Sequence, residues 1–298
     1  MHTELSHLAR VAEIAGIDVR VQSPTHHHAV LNERRFHYVE WGNEGAPPLL
    51  FLHGGNQSAR TWDIVCLALA DKFHCIALDQ RGHGDSEWSY EGHYAPEHHA
   101  EDIAALVKHL GWEHFGLVGM SMGGINALAF ASQNWRNLTS LVCVDVGPFV
   151  QMEKSKALVS FVQENTKRQS FDDFVAAALA HNPLRKAELL RHSLTHTTRE
   201  LADGSWAWKA DRRENLDLDK MKNHLEVLAS KCHHIQCPTL VVRGAQSPTF
   251  SKEDANRFVQ LLPKGQLAVV QNAGHTVQGD NPKGLLDVMQ SFLHQAAT

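Results

Sequence analysis

The chain has 298 residues, of which 43% are hydrophobic and 20% are charged, a balance typical of globular rather than disordered proteins. The formal net charge of −5 gives no electrostatic reason to expect binding to nucleic acid or to an anionic membrane. No apolar run approaches the roughly 18 residues that span a bilayer, the N-terminal residues lack the pattern of a secretion signal, and the five cysteines have no disulfide-scaffold spacing. We therefore expect a cytoplasmic protein with reduced thiols.

Histidine is unusually frequent, with 22 residues, and two clusters invite a metal hypothesis. Residues 26–28 are three adjacent histidines, and Cys232, His233, His234 and Cys237 lie close together in the sequence. Neither cluster has a second ligand pair at the separation that a structural zinc site uses. We expect no functional metal and no cofactor, and we expect the histidine triplet to lie in a solvated loop after Pro24.

The first half of the chain alternates strand and helix patterns. Residues 1–28 are expected to be peripheral, with a short amphipathic segment, and residues 30–41 read as two strands joined by a turn at Asn32 and Glu33. Continuous apolar runs then predict buried strands, with helices between them. The predicted strands cover 49–52, 75–78, 115–118 and 138–144, and the predicted helices start near 58, 96 and 124.

The alternation stops between residues 149 and 235, where nearly all of the pattern is helical. Helices are predicted over 158–163, 171–180, 186–194 and 225–230, with Trp206 and Trp208 between the last two. Strands over 239–242 and 267–270 and helices over 251–262 and 282–293 complete the chain. This order predicts an α/β fold with a mostly parallel sheet, built from residues 1–148 and 236–298, and a helical lid from residues 149–235.

A possible nucleophile lies in the run from Gly119 to Gly123, which has the form G-x-S-x-G. A buried-strand pattern precedes Ser121 and a helix pattern with small residues follows it. A serine on such a sharp turn is exposed, and glycines beside it permit the close backbone approach. We therefore interpret Ser121 as a nucleophile.

Four polar residues follow predicted strands: His53, Asp79, Ser121 and Asp145. In parallel sheets the ligand crevice lies beyond the carboxyl ends of the strands, so these side chains are expected near one another. A serine hydroxyl needs a base, and the base needs a carboxylate that orients it. His275 is the best candidate base because it follows the last strand in a Gly-His loop.

Together these motifs resemble the α/β-hydrolase fold superfamily. The resemblance covers about residues 30–148 and 238–295 and depends on five segments: 53–55, 79–86, 119–123, 145–148 and 274–275. It implies a mostly parallel sheet flanked by helices, a catalytic triad, an oxyanion hole and a helical cap. The oxyanion donors that it implies are the backbone amides of Gly55 and Met122. Asn56 could add a polar contact or brace the loop, and the charged residues of 79–86 are mainly structural in the superfamily.

The position of the acid departs from the commoner pattern of the superfamily. Many members carry the acid after the seventh strand as G-x-x-D, but here Ser247 occupies the place of the aspartate. Asp254 follows Ser251 at the spacing of a helix capping box. Some members use an acid after the sixth strand, where Asp145 stands, so we assign Asp145 rather than Asp254. The alternative for Asp145 is a turn residue held by backbone amides.

The expected function is hydrolysis of a small carboxylic ester, or of an amide or lactone, by a monomer or homodimer that binds only a small-molecule substrate. Haloalkane dehalogenases and epoxide hydrolases are disfavoured because they carry an aspartate where this chain has Ser121. Carbon–carbon bond hydrolases of ring-cleavage products share the Ser-Met-Gly-Gly sequence, but Thr276 follows His275 in place of their usual tryptophan. A perhydrolase and a non-enzymatic ligand-binding or signalling member of the fold are the remaining alternatives.

Overall fold

The computed structural model describes residues 2–150, 160–211 and 218–296. The strands of the main sheet are β1 Thr25–Leu31, β2 Arg34–Trp41, β3 Pro48–Leu52, β4 His74–Leu78, β5 Phe115–Met120, β6 Leu138–Val144, β10 Thr239–Gly244 and β11 Gly265–Val270. The helices, numbered in chain order, are α1 His2–Ala15, α2 Asp63–Leu69, α3 Pro96–His109, α4 Met122–Asn134, α5 Phe171–His181, α6 Ala187–Thr197, α7 Leu218–Lys231, α8 Lys252–Leu261, α9 Val277–Asp280 and α10 Pro282–Ala296.

The eight strands of this sheet lie in the order β1-β2-β4-β3-β5-β6-β10-β11. From β4 to β11 all neighbours are parallel, whereas β2 is antiparallel to both β1 and β4. The predicted fold class, a mostly parallel sheet flanked by helices, is therefore confirmed. Because the strands β5, β6 and β10 are adjacent, the loops at their carboxyl ends meet at one edge of the sheet.

Both faces of the sheet are covered, which explains the continuous apolar runs of its strands. Leu50 and Leu52 of β3 pack into the cluster on one face, and Leu49 and Phe51 pack into the cluster on the other. All four side chains are at most 2% exposed. Burial of each such side chain stabilises the fold by about 1.5–3 kcal/mol, so this sheet is a rigid support for the loops at its edge.

The histidine triplet lies in β1, so the expectation of a solvated loop is wrong. His26, His27 and His28 pair in register with Val39, Tyr38 and His37 of β2. Histidine has only a weak backbone preference, and pairing with β2 decides the conformation. The turn predicted at Asn32 and Glu33 is present, and both residues have a positive φ, 49° and 62°.

Within residues 149–235, the described part of the chain contains strands as well as the predicted helices. Three short strands, β7 Lys167–Arg168, β8 Thr198–Glu200 and β9 Trp206–Trp208, form an antiparallel sheet in the order β7-β9-β8. Strands of two or three residues are too short to show an alternating pattern in the sequence. The helix predicted over 158–163 begins at residues outside the described part of the chain, and residues 160–164 are helical.

The aromatic side chains of this region pack on its own helices. Trp206 lies 5.0 Å from Phe171 and Trp208 lies 4.9 Å from Phe174, both measured between ring centroids. These contacts form a small hydrophobic cluster between α5, α6 and the three-stranded sheet. The two tryptophans therefore have a packing role.

Among the described residues, no helix combines the length and the hydrophobicity needed to cross a bilayer.

Candidate active site

Ser121 lies on the sharp turn between β5 and α4, with a φ of 51° and a ψ of −120°. Few non-glycine residues adopt this conformation, and the surrounding structure must hold it in place. Gly119 and Gly123 make the turn possible, because a Cβ at Gly119 would lie 2.3 Å from the Gly123 carbonyl oxygen, and one at Gly123 would lie 2.5 Å from the Leu52 oxygen. The glycines thus pack the turn against β3 and keep Ser121 at the sheet edge.

His275 bridges the serine and a buried carboxylate. It lies in the loop between β11 and α9, and its Nε2 is 3.0 Å from the Ser121 Oγ. Its Nδ1 is 2.8 Å from the Asp145 Oδ2. The structure therefore brings together Ser121, Asp145 and His275 in one hydrogen-bonded chain, with the base between the hydroxyl and the acid.

Asp145 is held rigidly at the end of β6. Its side chain is fully buried and its φ is 53°. The Gly244 N–H donates to Oδ1 at 2.8 Å, and the Ser247 hydroxyl donates to Oδ2 at 2.5 Å. These two donors fix the orientation of the carboxylate that faces His275.

Asp254 occupies a different place. The Asp254 N–H donates to the Ser251 Oγ at 3.0 Å, and the Ser251 hydroxyl donates to the Asp254 Oδ2 at 2.7 Å. Ser251 is the N-cap of α8, so this carboxylate belongs to the first turn of that helix. The structure brings Asp145, and not Asp254, to His275.

Of the two residues whose amides are assigned to the oxyanion hole, Met122 adjoins Ser121 and Gly55 lies in a loop that approaches it. Met122 begins α4, so its N–H has no carbonyl acceptor one turn earlier in the helix. Gly55 belongs to the loop after β3, and a Cβ on its neighbour Gly54 would lie 3.4 Å from the Ser121 Cβ. The loop that carries Gly55 therefore lies close to Ser121.

His53 braces the loop that carries Gly55. Its Nδ1–H donates to the Gly54 oxygen at 2.8 Å, and its Nε2 accepts from the Gln80 N–H at 3.0 Å. Burial, assisted by nearby His83, lowers the pKa of His53 to about 3. The imidazole is therefore neutral at pH 7, with the tautomer fixed by its two backbone contacts.

Residues 79–86 are held by internal contacts. Arg81 forms a buried ion pair with Asp102, with Nε 2.6 Å from Oδ2. The Asp79 carboxylate accepts hydrogen bonds from the backbone N–H groups of Ala59 and Asp85 and contacts the His37 ring. These contacts fit the structural role that the resemblance implies.

Three residues that the sequence did not single out as functional support the site. Besides Ser247, Thr249 places its Oγ1 3.1 Å from the His275 Nδ1. Asp280 accepts from the Gly274 N–H at 2.9 Å and so fixes the residue before His275. Ser247 could have been suspected from its place in the G-x-x-D position, but Thr249 and Asp280 have no sequence signal.

The cluster at residues 232–237 has thiols that face the core. Burial raises the pKa of Cys232 to about 12 and that of Cys237 to about 11. A metal is bound by the thiolate, so protonated thiols are poor ligands. Within the described chain, groups of three or more residues that could hold a metal lie elsewhere: Asp63, His192 and His196, and His37, Asp79 and Asp85.

Comparison with known proteins identifies the family. The family model described as alpha/beta hydrolase fold matches residues 47–282. The chain is 28% identical to the esterase Rv0045c of Mycobacterium tuberculosis over 86% of this chain and 85% of that protein. A solved structure of that esterase, described as concerning its transition metal inhibition, has a TM-score of 0.81 and 29% identity, covering 98% of each chain.

A second relative is the 2-(acetamidomethylene)succinate hydrolase of Mesorhizobium japonicum, 30% identical over 83% of this chain and 88% of that protein. The solved structure of an E-2-(acetamidomethylene)succinate hydrolase has a TM-score of 0.82 and 25% identity, covering 91% of this chain and 100% of that one. A third is the N-formylmaleamate deformylase of Pseudomonas putida, 29% identical over 88% of this chain and 94% of that protein. The chain belongs to the α/β-hydrolase fold family and is an enzyme of the hydrolase class.

Proposed function

We propose that this enzyme cleaves a small carboxylic ester through an acyl-enzyme formed on Ser121. The observation that carries the proposal is the hydrogen-bonded chain from the Ser121 Oγ through both ring nitrogens of His275 to Asp145, with distances of 3.0 and 2.8 Å. Such an arrangement activates a hydroxyl that is otherwise a poor nucleophile. Asp145 is the orienting acid in this proposal.

In the first half of the reaction, the Ser121 Oγ forms a bond to the ester carbonyl carbon while His275 Nε2 takes the hydroxyl proton. Asp145 holds the ring and stabilises the imidazolium. The amides of Gly55 and Met122 donate to the oxyanion of the tetrahedral intermediate. The carbon–oxygen bond to the leaving group then breaks, and His275 returns the proton to the departing alcohol.

In the second half, water attacks the acyl carbon while His275 again takes a proton. The bond between that carbon and the Ser121 Oγ breaks, His275 protonates the serine, and the carboxylic acid leaves. The cycle consumes one ester and one water and releases one alcohol and one acid. It requires only the described side chains and amides.

Amides and lactones are the next substrate classes, since their carbonyl carbons undergo the same attack. The names of the similar proteins favour acyl transfer to water, because they include an esterase and a deformylase. A carbon–carbon bond hydrolase of ring-cleavage products remains the second candidate, supported by the Ser-Met-Gly-Gly sequence from Ser121. Thr276 after His275 weighs against it.

We also propose that residues 149–235 act as a lid over the site, inserted into a core of residues 1–148 and 236–298. The loop between α5 and α6 contacts α9, the short helix that follows the His275 loop, where the Asn182 amide donates to the Asp280 Oδ1 at 3.0 Å. Arg185 pairs with the same carboxylate, with its Nε 3.6 Å from Oδ1. A segment anchored beside the base can exclude water and shape the substrate pocket.

A substrate panel tests the proposal. Purified enzyme is assayed with p-nitrophenyl acetate and butyrate, a matched anilide, a lactone and a ring-cleavage product, each with wild type and Ser121→Ala. We expect ester turnover with a burst of p-nitrophenol and a loss of at least about 10³-fold in kcat in the variant. Turnover of the ring-cleavage product alone, or esterase activity that persists in Ser121→Ala, would contradict it. Tight binding without turnover would favour the non-enzymatic alternative.

A further inference from the structure

A second group of chemically capable side chains lies between α6 and the start of α2. His192 and His196 are four residues apart on α6, so both can project from one face of the helix. Asp63, the first residue of α2, faces them, and its carboxylate contacts the His192 ring. The potential ligand atoms of Asp63, His192 and His196 all lie within 4.8 Å of one another.

The Asp63 carboxylate has one unused oxygen. Its Oδ2 lies 2.6 Å from the Arg60 Nε and 2.9 Å from the His192 Nε2. Its Oδ1 is buried and has no hydrogen-bond partner among the described residues. Burial of an acceptor without a partner is unfavourable, so the unpaired oxygen in this cluster points to a cation that is bound there.

The contacts of the two histidines leave room for a bound ion. No hydrogen bond to the His196 ring is present among the described residues, and this ring lies 5.1 Å from the His192 ring, measured between centroids. The His192 Nδ1 lies 3.0 Å from the His7 Nε2. Histidines that bind metals commonly have such a partner on the other nitrogen, which fixes the orientation of the ring.

The other group of potential ligands differs in this respect. In the group of His37, Asp79 and Asp85, the Asp79 Oδ1 accepts from the Ala59 N–H at 2.6 Å. The Asp79 Oδ2 accepts from the Asp85 N–H at 2.9 Å and lies 2.7 Å from the His37 Nδ1. Both oxygens are therefore satisfied by protein groups, and this group shows no sign of a missing ligand.

We propose that Asp63, His192 and His196 form a binding site for a divalent transition metal such as Zn²⁺. Two imidazole nitrogens and one carboxylate oxygen are ligands that Zn²⁺, Co²⁺ and Ni²⁺ accept. Bonds of about 2.0–2.2 Å in a tetrahedral site place two ligand atoms about 3.3–3.6 Å apart. The ligand atoms here lie within 4.8 Å of one another, so side-chain rotations that move them by about 1 Å close the site.

The neighbouring charges are compatible with a bound cation. Arg60 remains on the Asp63 Oδ2, and its NH2 group also pairs with Glu4 at 3.1 Å. Glu4 and Asp63 together offset the guanidinium and part of the charge of the metal. The bound ion would join α6, within residues 149–235, to α2 beside the main sheet, and so stabilise the contact between these two parts of the chain.

The test measures Zn²⁺ binding to chelator-treated protein by calorimetry, together with the metal-induced shift in Tm. His196→Gln is the main variant, because no hydrogen bond to this ring is present among the described residues. Asp63→Asn, which keeps the side-chain shape, is the second variant. His294→Gln, which changes an exposed histidine of α10, is the matched control for surface binding.

We expect one site in wild type and in His294→Gln, with an affinity at least tenfold lower in His196→Gln and in Asp63→Asn. The rise in Tm with Zn²⁺ should be lost in the same two variants. Equal binding in wild type and in both site variants would overturn the proposal. Binding that survives in His196→Gln but disappears in His275→Gln would also overturn it, because the metal would then be bound at the triad. Neither result depends on the substrate of the enzyme.

Discussion

The Ser247 hydroxyl donates to the Asp145 Oδ2 at 2.5 Å, and the same oxygen lies 2.8 Å from the His275 Nδ1. Ser247 stands in the loop after β10, where many members of the superfamily carry the acid itself. Here the residue at the commoner acid position supports a carboxylate that comes from the end of β6. The two loops meet because β6 and β10 are neighbours in the sheet.

The assignment of the acid is tested by two matched aspartate variants. Asp145→Asn should lower kcat by up to about 10⁴-fold, because the amide no longer fixes the tautomer of His275 and cannot stabilise the imidazolium. Asp254→Asn should keep kcat within about twofold and cost about 0.5–1 kcal/mol of stability through the first turn of α8. Steady-state ester hydrolysis and urea unfolding measure both effects. A dead Asp254→Asn beside an active Asp145→Asn would refute the assignment.

The role of Ser247 is tested by removing its hydroxyl. Ser247→Ala should lower kcat about tenfold with little change in KM, because the loss of one hydrogen bond of about 1–1.5 kcal/mol leaves Asp145 less well fixed. Ser251→Ala is the matched control, since it removes the N-cap hydroxyl of α8 and should reduce stability without reducing kcat. An unchanged kcat in Ser247→Ala would show that the Gly244 amide and His275 position Asp145 without help.

Because the loops after β6 and β10 are in contact, we also predict that a carboxylate at position 247 can replace the one at position 145. Asp145→Asn combined with Ser247→Asp places a carboxylate on the neighbouring loop, where the Ser247 side chain already touches Asp145. We expect the double variant to recover at least tenfold in kcat over Asp145→Asn alone. No recovery in a folded double variant, judged by circular dichroism, would show that only the β6 position can orient His275.

The lowered pKa of His53 predicts that the folded protein loses stability in acid. Its folded pKa is lowered to about 3 by burial, whereas an unfolded chain protonates histidine near the ordinary value of about 6.5. Between these pH values the unfolded chain binds more protons at His53 than the folded chain does. The free energy of unfolding is therefore unaffected by this residue above pH 6.5 and decreases as the pH falls below it. The loss reaches about 2 kcal/mol at pH 5 for this residue.

Urea unfolding at pH 7.5 and pH 5.0 measures this effect. In His53→Asn the decrease in unfolding free energy between the two pH values should be about 2 kcal/mol smaller than in wild type. His294→Asn, which changes an exposed histidine, should behave as wild type does. If His53→Asn loses as much stability in acid as wild type, His53 is not held neutral in the folded protein.

The strand ends and the serine turn could be predicted because their causes are local. Buried parallel strands give continuous apolar runs, and the turn at Ser121 needs glycines where any side chain would meet the backbone. Asp145 could be assigned because Ser247 removed the commoner candidate. Each of these predictions depends on the types of residues at particular positions in the sequence, and not on contacts between distant segments.

The features that the sequence did not show depend on contacts between distant segments. The histidines of β1 form a strand because β2 is available for pairing, and the three-stranded sheet is built from segments of two or three residues. The hydrogen bond from Ser247 to Asp145 joins residues 102 positions apart. The sequence shows Ser247 in the place of the G-x-x-D aspartate, but it does not show that the hydroxyl contacts Asp145.

Covalent labelling tests the central claim, that Ser121 is the nucleophile of a Ser-His-Asp triad, most directly. The folded enzyme is treated with a fluorophosphonate, and intact-mass and peptide mass spectrometry locate the adduct. We predict one adduct per chain, on Ser121, that is absent in Ser121→Ala and forms far more slowly in Asp145→Asn. An adduct on another residue, or no adduct on the folded wild-type enzyme, would contradict the claim.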